Sequence, residues 1–357
     1  MEKVLLTASA LAVTAGTAMA GGIERSGQSV AILFEKGSYA ELSLGAANPD
    51  VSGTVAGGAL SSGDMAPGYG TYSLGYKQAL TEKLDLAIIL DQPVGASVAY
   101  PASAAPYPFS GATADIDSTA LTALLRYRLP SNISLIGGLR AQAASGTVSI
   151  PSIGGYTMTA DTDRRLGYVV GVAWEKPEIA ARVALTYNSE ITHSLTARES
   201  FAPVPTTFDT IIPQSVNLEF QTGVAADTLL FGSVRWVDWS VFDISPPAFF
   251  AATNSSLASL HSDYVSYTLG VGRKFSAQWS GAVIVGYEGA SGDLQGNLGP
   301  TDGARSIGLA ATYTLDNMKI TGGVRYIDIG DATTKDIGAQ FTDNNAVAAG
   351  LRVGFNF

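Results

Sequence analysis

Apolar and polar residues alternate by twos through most of this chain, and the pattern is clearest at its end. Val347, Ala349, Leu351, Val353, Phe355 and Phe357 fall on one face of that stretch, and Ala348, Gly350, Arg352, Gly354 and Asn356 on the other. A period of two is strand period, not helix period. A uniformly apolar face, a polar face and an aromatic end suit the last strand of an outer-membrane barrel. Such a strand meets lipid on one side, a wet lumen on the other and an interfacial girdle at its tip. Taken alone, the stretch also fits the edge strand of a soluble sheet. The rest of the chain decides, because the same unit recurs from Ser38 onward. Candidate strands span 38–46, 69–79, 84–92, 119–129, 133–145, 165–175, 179–190, 215–225, 228–238, 264–274, 278–288, 304–314, 318–328 and 346–357. That is about fourteen, an even number, each near the ~9–11 residues that cross a bilayer when tilted.

The connections alternate in length. Short turns fall at 81–83, 130–132, 175–178, 226–227, 276–277 and 316–317, and they carry the Pro, Asn, Asp and Ser of turn chemistry. Long segments rich in Gly, Pro, Ser and Asp fall at 47–68, 93–118, 146–163, 191–214, 240–263, 289–302 and 330–345. The expected fold is therefore all-β: a transmembrane antiparallel β-barrel with short periplasmic turns, long extracellular loops and both ends of the barrel on the periplasmic side. A soluble sandwich gives no reason for long loops on every second connection. The mid-strand charges agree. Arg126, Arg140, Arg182, Arg235, Arg325 and Arg352, with Glu219, lie opposite the apolar row of their strands. An Arg at the lipid midplane costs about 2–4 kcal/mol, so these side chains are expected to face the lumen. Tyr72, Tyr76, Tyr127, Trp174, Tyr187, Trp236, Tyr287, Tyr313 and Phe355 lie mostly near strand ends, where aromatic girdles belong.

Composition narrows the functional classes. The chain has 357 residues, 40 Gly, no Cys, two His and a net charge of −10. An acidic chain is a poor nucleic-acid binder, and the lack of Cys removes thiolate metal sites, Cys nucleophiles and disulfides. Mean hydropathy is +0.20, yet no long apolar run follows residue 20, which is what alternating strands produce. At the start, one Lys, an apolar stretch from Val4 to Ala18 and the Ala18-Met19-Ala20 step form a secretory leader over 1–20. The expected organisation is a leader (1–20), a short N-terminal segment (21–37) and the barrel (38–357).

Three stretches resemble one family. Ser38 to Gly53 resembles the first strand and loop of the FadL/TodX family of outer-membrane transport proteins. Pro213 to Asn217 with Thr228 to Phe242 is similar to its mid-chain hairpin and its Trp-Ser-x-Phe strand end. Tyr267 to Tyr287, Ile307 to Leu315 and Gly322 to Tyr326 resemble its last strands. The resemblance implies a fourteen-stranded barrel carrying hydrophobic compounds, typically long-chain fatty acids or aromatic hydrocarbons, across the outer membrane of a Gram-negative bacterium. The family's N-terminal hatch, with an Asn-Pro-Ala motif before the first strand, has no full counterpart. Only residues 21–37 precede the first strand, so a reduced hatch is expected. Asp91 to Gly95 resembles the Pro-containing end of the family's third strand, where a kink opens a lateral exit. Pro93 removes a ladder donor there.

Candidate ligand-binding residues are the loop aromatics Tyr107, Phe109, Phe201, Phe208, Phe249 and Phe250, since exposed aromatic clusters mark binding surfaces. The alternative is that these loops pack on one another and close the barrel mouth. A lumen Arg can bind a carboxylate in a two-pronged way or simply pair with acidic lumen residues. The sequence argues against an enzyme, because the adjacent His193 and Ser194 point to opposite faces of a strand. No residues have metal-ligand spacing, and no cofactor is implied. The expected partners are a hydrophobic small molecule and outer-membrane lipids, with the chain acting as a monomer. The leading expectation is passive uptake of hydrophobic compounds such as fatty acids. A general diffusion porin for small polar solutes is the alternative, and an adhesive barrel a third class.

Overall fold

The structure, a computed structural model, describes residues 23–357; the leader expected over 1–20 lies outside the described residues. The described residues form a closed antiparallel barrel of fourteen strands. In chain order these are β1 (Tyr39–Asp50), β2 (Tyr69–Ala79), β3 (Leu84–Asp91), β4 (Thr113–Arg128), β5 (Ile133–Ile150), β6 (Tyr156–Lys176) and β7 (Ala181–Asn188). They continue with β8 (Ser215–Ala225), β9 (Thr228–Val237), β10 (Tyr264–Lys274), β11 (Trp279–Glu288), β12 (Ala304–Leu315), β13 (Met318–Ile329) and β14 (Asn344–Asn356). Each strand pairs with its sequence neighbours, and β14 closes on β1 from Tyr39↔Asn356 to Asp50↔Asn345. No described helix is long and apolar enough to cross a membrane.

The wall is inside out relative to a soluble protein. On β5, Leu139 is 62% exposed and its neighbour Arg140 is 6% exposed. On β4, Leu121 and Leu125 face outward, whereas Thr122, Leu124 and Arg126 are buried in the lumen. The apolar row thus forms the outer belt and the polar row the interior, as the Arg positions require. At the short-turn end, Asn132, Asp227 and Asp316 take left-handed φ values of 61°, 55° and 23°. Asn and Asp tolerate this region through local hydrogen bonds, which is why they recur at these turns.

Two features differ from the expected layout. First, β4, β5 and β6 run to 16, 18 and 21 residues, well beyond a bilayer crossing. Segment 146–163 is mostly strand, folded back at 151–155, and 191–214 holds a hairpin of Ile191–Glu199 with Thr206–Ile212. Many of the polar residues that make these segments look like loops, among them Thr157, Thr159, Thr192, Thr196 and Asp209, sit on the water-facing side of strands standing clear of the membrane. Second, the wall is interrupted twice. Asp91 pairs with Ala120, but the strand resumes at Gly95–Ala99 with Gly95 opposite Asp117. Four steps on one strand against three on the other make a bulge at Pro93. Beyond Leu74↔Leu90, the outer residues of β2 have no ladder to this continuation. Likewise β6 pairs with Asn188 at Val169 and with Ala197 at Ala160, with no ladder between those points.

The lumen is filled in two tiers. Residues 23–37 run inside the barrel, and Val30, Ile32 and Leu33 of the turn around Ala31–Phe34 pack on Ala87, Leu124, Ile136, Val169 and Ala184. At the long-loop end, the connections form a separate apolar cluster that caps the mouth. It includes a short helix, α1 (Pro247–Thr253).

Candidate functional site: a chamber between plug and cap

The floor is the N-terminal segment, held by charge and backbone. The Arg25 amide donates to the Pro93 carbonyl at 3.0 Å, and the Gly95 amide donates to the Ile23 carbonyl at 2.9 Å. Residues 23–25 therefore add a short strand to the free edge left by the Pro93 bulge, with Glu24 opposite Val94. The Arg25 guanidinium lies 3.4 Å from the centroid of the Tyr69 ring, so it spans the gap between β2 and the resumed third strand. Glu24 is paired with Arg235, which also donates to Ser215 at 3.0 Å and to Asn217. Ser29 donates to Glu219 at 2.5 Å.

The remaining lumen Arg side chains are likewise engaged or buried. Arg126 donates to Ser134 at 2.9 Å and to the Leu33 carbonyl at 3.2 Å, and pairs with Glu175. Phe34 lies between Arg126 and Arg182, whose guanidinium carbons are 4.3 and 4.4 Å from its ring centroid. Arg140 donates to Thr122 at 3.0 Å, and Arg352 donates to Ser43 at 2.9 Å and faces Glu41. Arg325 is buried on β13. Of the charged set, Arg126, Arg182, Arg235 and Glu219 thus grip the plug directly.

Above the floor lies an apolar chamber of about 90 Å³. Ile23, Val98, Ile116, Met158, Leu195 and Phe208 are among its lining residues. It lies between the resumed third strand, β4 to β6 and the 191–212 hairpin, so one wall adjoins the Pro93 interruption.

The loop aromatics divide into three groups. Phe208 lines the chamber. Tyr107 and Phe109 are buried in the cap against Tyr100, at centroid distances of 5.6 and 6.0 Å. Phe249 of α1 packs on Tyr156 at 4.9 Å and Phe201 packs on the same ring at 5.1 Å. Phe250 is exposed, and Phe201 only partly covered. Glu199 ties this region together. Its carboxylate accepts from the Phe249 amide and the Tyr156 hydroxyl, both at 2.9 Å, and from the Ala248 amide at 3.2 Å and Thr206. Burial pushes the Glu199 carboxyl up, but these donors together hold it below the usual range.

The chamber's aliphatic lining was not among the sequence candidates. A signal for part of it was present, because Ile191, His193, Leu195 and Ala197 alternate with Thr192, Ser194, Thr196 and Arg198. His193 is fully buried and its Nδ1 lies 3.0 Å from Asp163 Oδ2.

No protein-family model and no curated protein sequence matches the chain. Solved structures do. A Pseudomonas aeruginosa FadL homologue superposes with a TM-score of 0.76 at 14% identity, over 97% of this chain and 98% of that one. The Pseudomonas putida toluene transporter TodX gives 0.63 at 12% identity over 92% of each chain. The Ralstonia pickettii toluene transporter TbuX gives 0.62 at 12% identity, over 96% of this chain and 98% of that one.

Proposed function

We propose that this chain, whose fold is that of the FadL- and TodX-type barrels, is a conduit for passive uptake of small hydrophobic compounds across the outer membrane of a Gram-negative bacterium. It works as a monomer. Solute enters through the capping loops, rests in the chamber, and leaves sideways into the membrane at Pro93 once residues 23–25 move off the edge. The observation that carries this reading is the apolar chamber set against an interrupted wall whose gap is bridged by Arg25. The gap is closed by two backbone hydrogen bonds, one packed side chain and the buried Glu24–Arg235 pair, all of which must be exchanged for residues 23–25 to move, and no energy source beyond the solute's own gradient is called for. The names of two structural neighbours speak of toluene, and compact aromatics and long-chain fatty acids are the two cargo classes to compare. The residues gripping the plug are already paired, so they argue against a general diffusion porin, which needs a continuous wet lumen.

The test uses the absence of native cysteine. Glu24 and Val94 face each other in a bridge whose hydrogen bonds lie on the flanking residues. Cα atoms in such a pair sit about 4.5 Å apart, within disulfide range. In Glu24→Cys/Val94→Cys, oxidation is expected to abolish uptake of toluene or oleate into proteoliposomes, and reduction to restore it. The reduced form is the control for loss of the Glu24–Arg235 pair. Equal uptake in both redox states sinks the lateral route.

A further inference from the structure

Thr210 is one of the chamber's polar lining residues, and two further buried polar side chains stand beside it on the same strands and their neighbours. His193 Nε2, Thr210 Oγ1 and Gln142 Nε2 are buried without a hydrogen-bond partner in the protein. Their residues are 0%, 5% and 1% exposed. Buried polar groups are nearly always paired, so each exception asks for a reason.

Strand register gathers the three. His193 is the cross-strand partner of Thr210. Such side chains share a face with Cβ atoms about 4.5–5.5 Å apart, close enough to reach one ligand atom. Asp163, which holds His193 Nδ1, is opposite Ala144 across β5 and β6, and Gln142 is two residues along the same face. Thr210 and Ala144 both line the chamber.

Their chemistry is specific. Burial lowers the His193 pKa, while the hydrogen bond and charge of Asp163 oppose it, so the ring is neutral near pH 7. An ionised carboxylate only accepts, so Nδ1 carries the proton and Nε2 is an acceptor. The Gln142 amide nitrogen donates, and the Thr210 hydroxyl does either. A hydrocarbon satisfies none of these atoms. A carboxylate, which only accepts, is set against the His193 acceptor with Asp163 behind it. Arg165, the nearby cation, is committed to Asp163 at 2.9 Å on the more exposed side. A neutral hydroxyl matches, donating to His193 Nε2 while accepting from Thr210 or Gln142.

We propose that the chamber prefers hydrophobic compounds bearing a single neutral hydroxyl, of the phenol class, over hydrocarbons of the same size, with Thr210 and His193 holding the hydroxyl. This selectivity rests on the conduit reading above.

The experiment measures dissociation constants of p-cresol and toluene with the purified full chain in detergent, for the parent protein, Thr210→Val and Thr210→Ser. The parent is expected to bind p-cresol at least about tenfold tighter than toluene, since a site built to pair a hydroxyl rejects the analogue lacking it. Thr210→Val is expected to lower the ratio several-fold, and Thr210→Ser to keep the preference. Equal affinities in the parent, or an unchanged ratio in Thr210→Val, overturn the selectivity and leave the conduit standing. Failure of both compounds to bind the parent overturns both readings.

Discussion

Glu199 shows how much one side chain organises in the cap, since its four donors come from α1, β6 and the 191–212 hairpin. Its folded-state pKa is depressed. The stability it contributes is therefore fully present above the ordinary value of 4.5 and is lost as pH falls through the depressed value. Loosening of the cap on acidification, followed by proteolysis of the outer loops, is expected to set in below that point. Glu199→Gln, which cannot ionise, is expected to be more readily cleaved at neutral pH and to lose the acid-dependent step. Such a carboxylate was hidden in the sequence. Nothing near Arg198-Glu199-Ser200 sets it apart from a solvated loop acid, because its donors lie 7 to 50 residues away. The same holds for Asp85, buried between Lys77 and Arg128 of the flanking strands.

At the scale of the element, strand period was the legible signal. The strands expected at 69–79, 215–225 and 264–274 end where the structure ends them. Each crosses a membrane, where one face must be apolar and the alternation is strict. Outside the membrane both faces tolerate polar residues, so 156–163 and 191–199 read as loops although they are strands. The chamber was missed for the same reason, since much of it is built from those outer strands. The face assignment makes a sharp prediction. Leu139→Arg, on the outward row of β5, is expected to destabilise the folded barrel by about 2–4 kcal/mol, read from urea unfolding in lipid vesicles. Ala141→Ser, on the same row but small and neutral, is expected to change little. A cost near zero for Leu139→Arg means the strand's faces are reversed.

At the scale of the whole molecule, plug and cap divide the closure of the lumen between them. Removing residues 23–37 is expected to raise ion conductance in a planar bilayer above that of the intact chain, because the lower lumen then holds water and the polar side chains that the plug had engaged. Unchanged conductance assigns the whole seal to the cap. The plug also bears on how the barrel is assembled. Its contacts reach strands from across the sequence: Leu33 meets Arg126 of β4, Ser29 meets Glu219 of β8, Glu35 meets Lys319 of β13, and the Lys36 carbonyl accepts from Asn356 of β14. Joining residues some 300 positions apart costs only about (3/2)RT ln n in chain entropy, so distance is no obstacle. Order of events is. Glu35 and Lys36 find their final partners only when the last two strands have arrived, whereas residues 23–25 already meet theirs on the third and ninth strands, at Pro93, Gly95 and Arg235. One short segment is thus seated at its front by the middle of the chain and at its back only by the strands that close the ring.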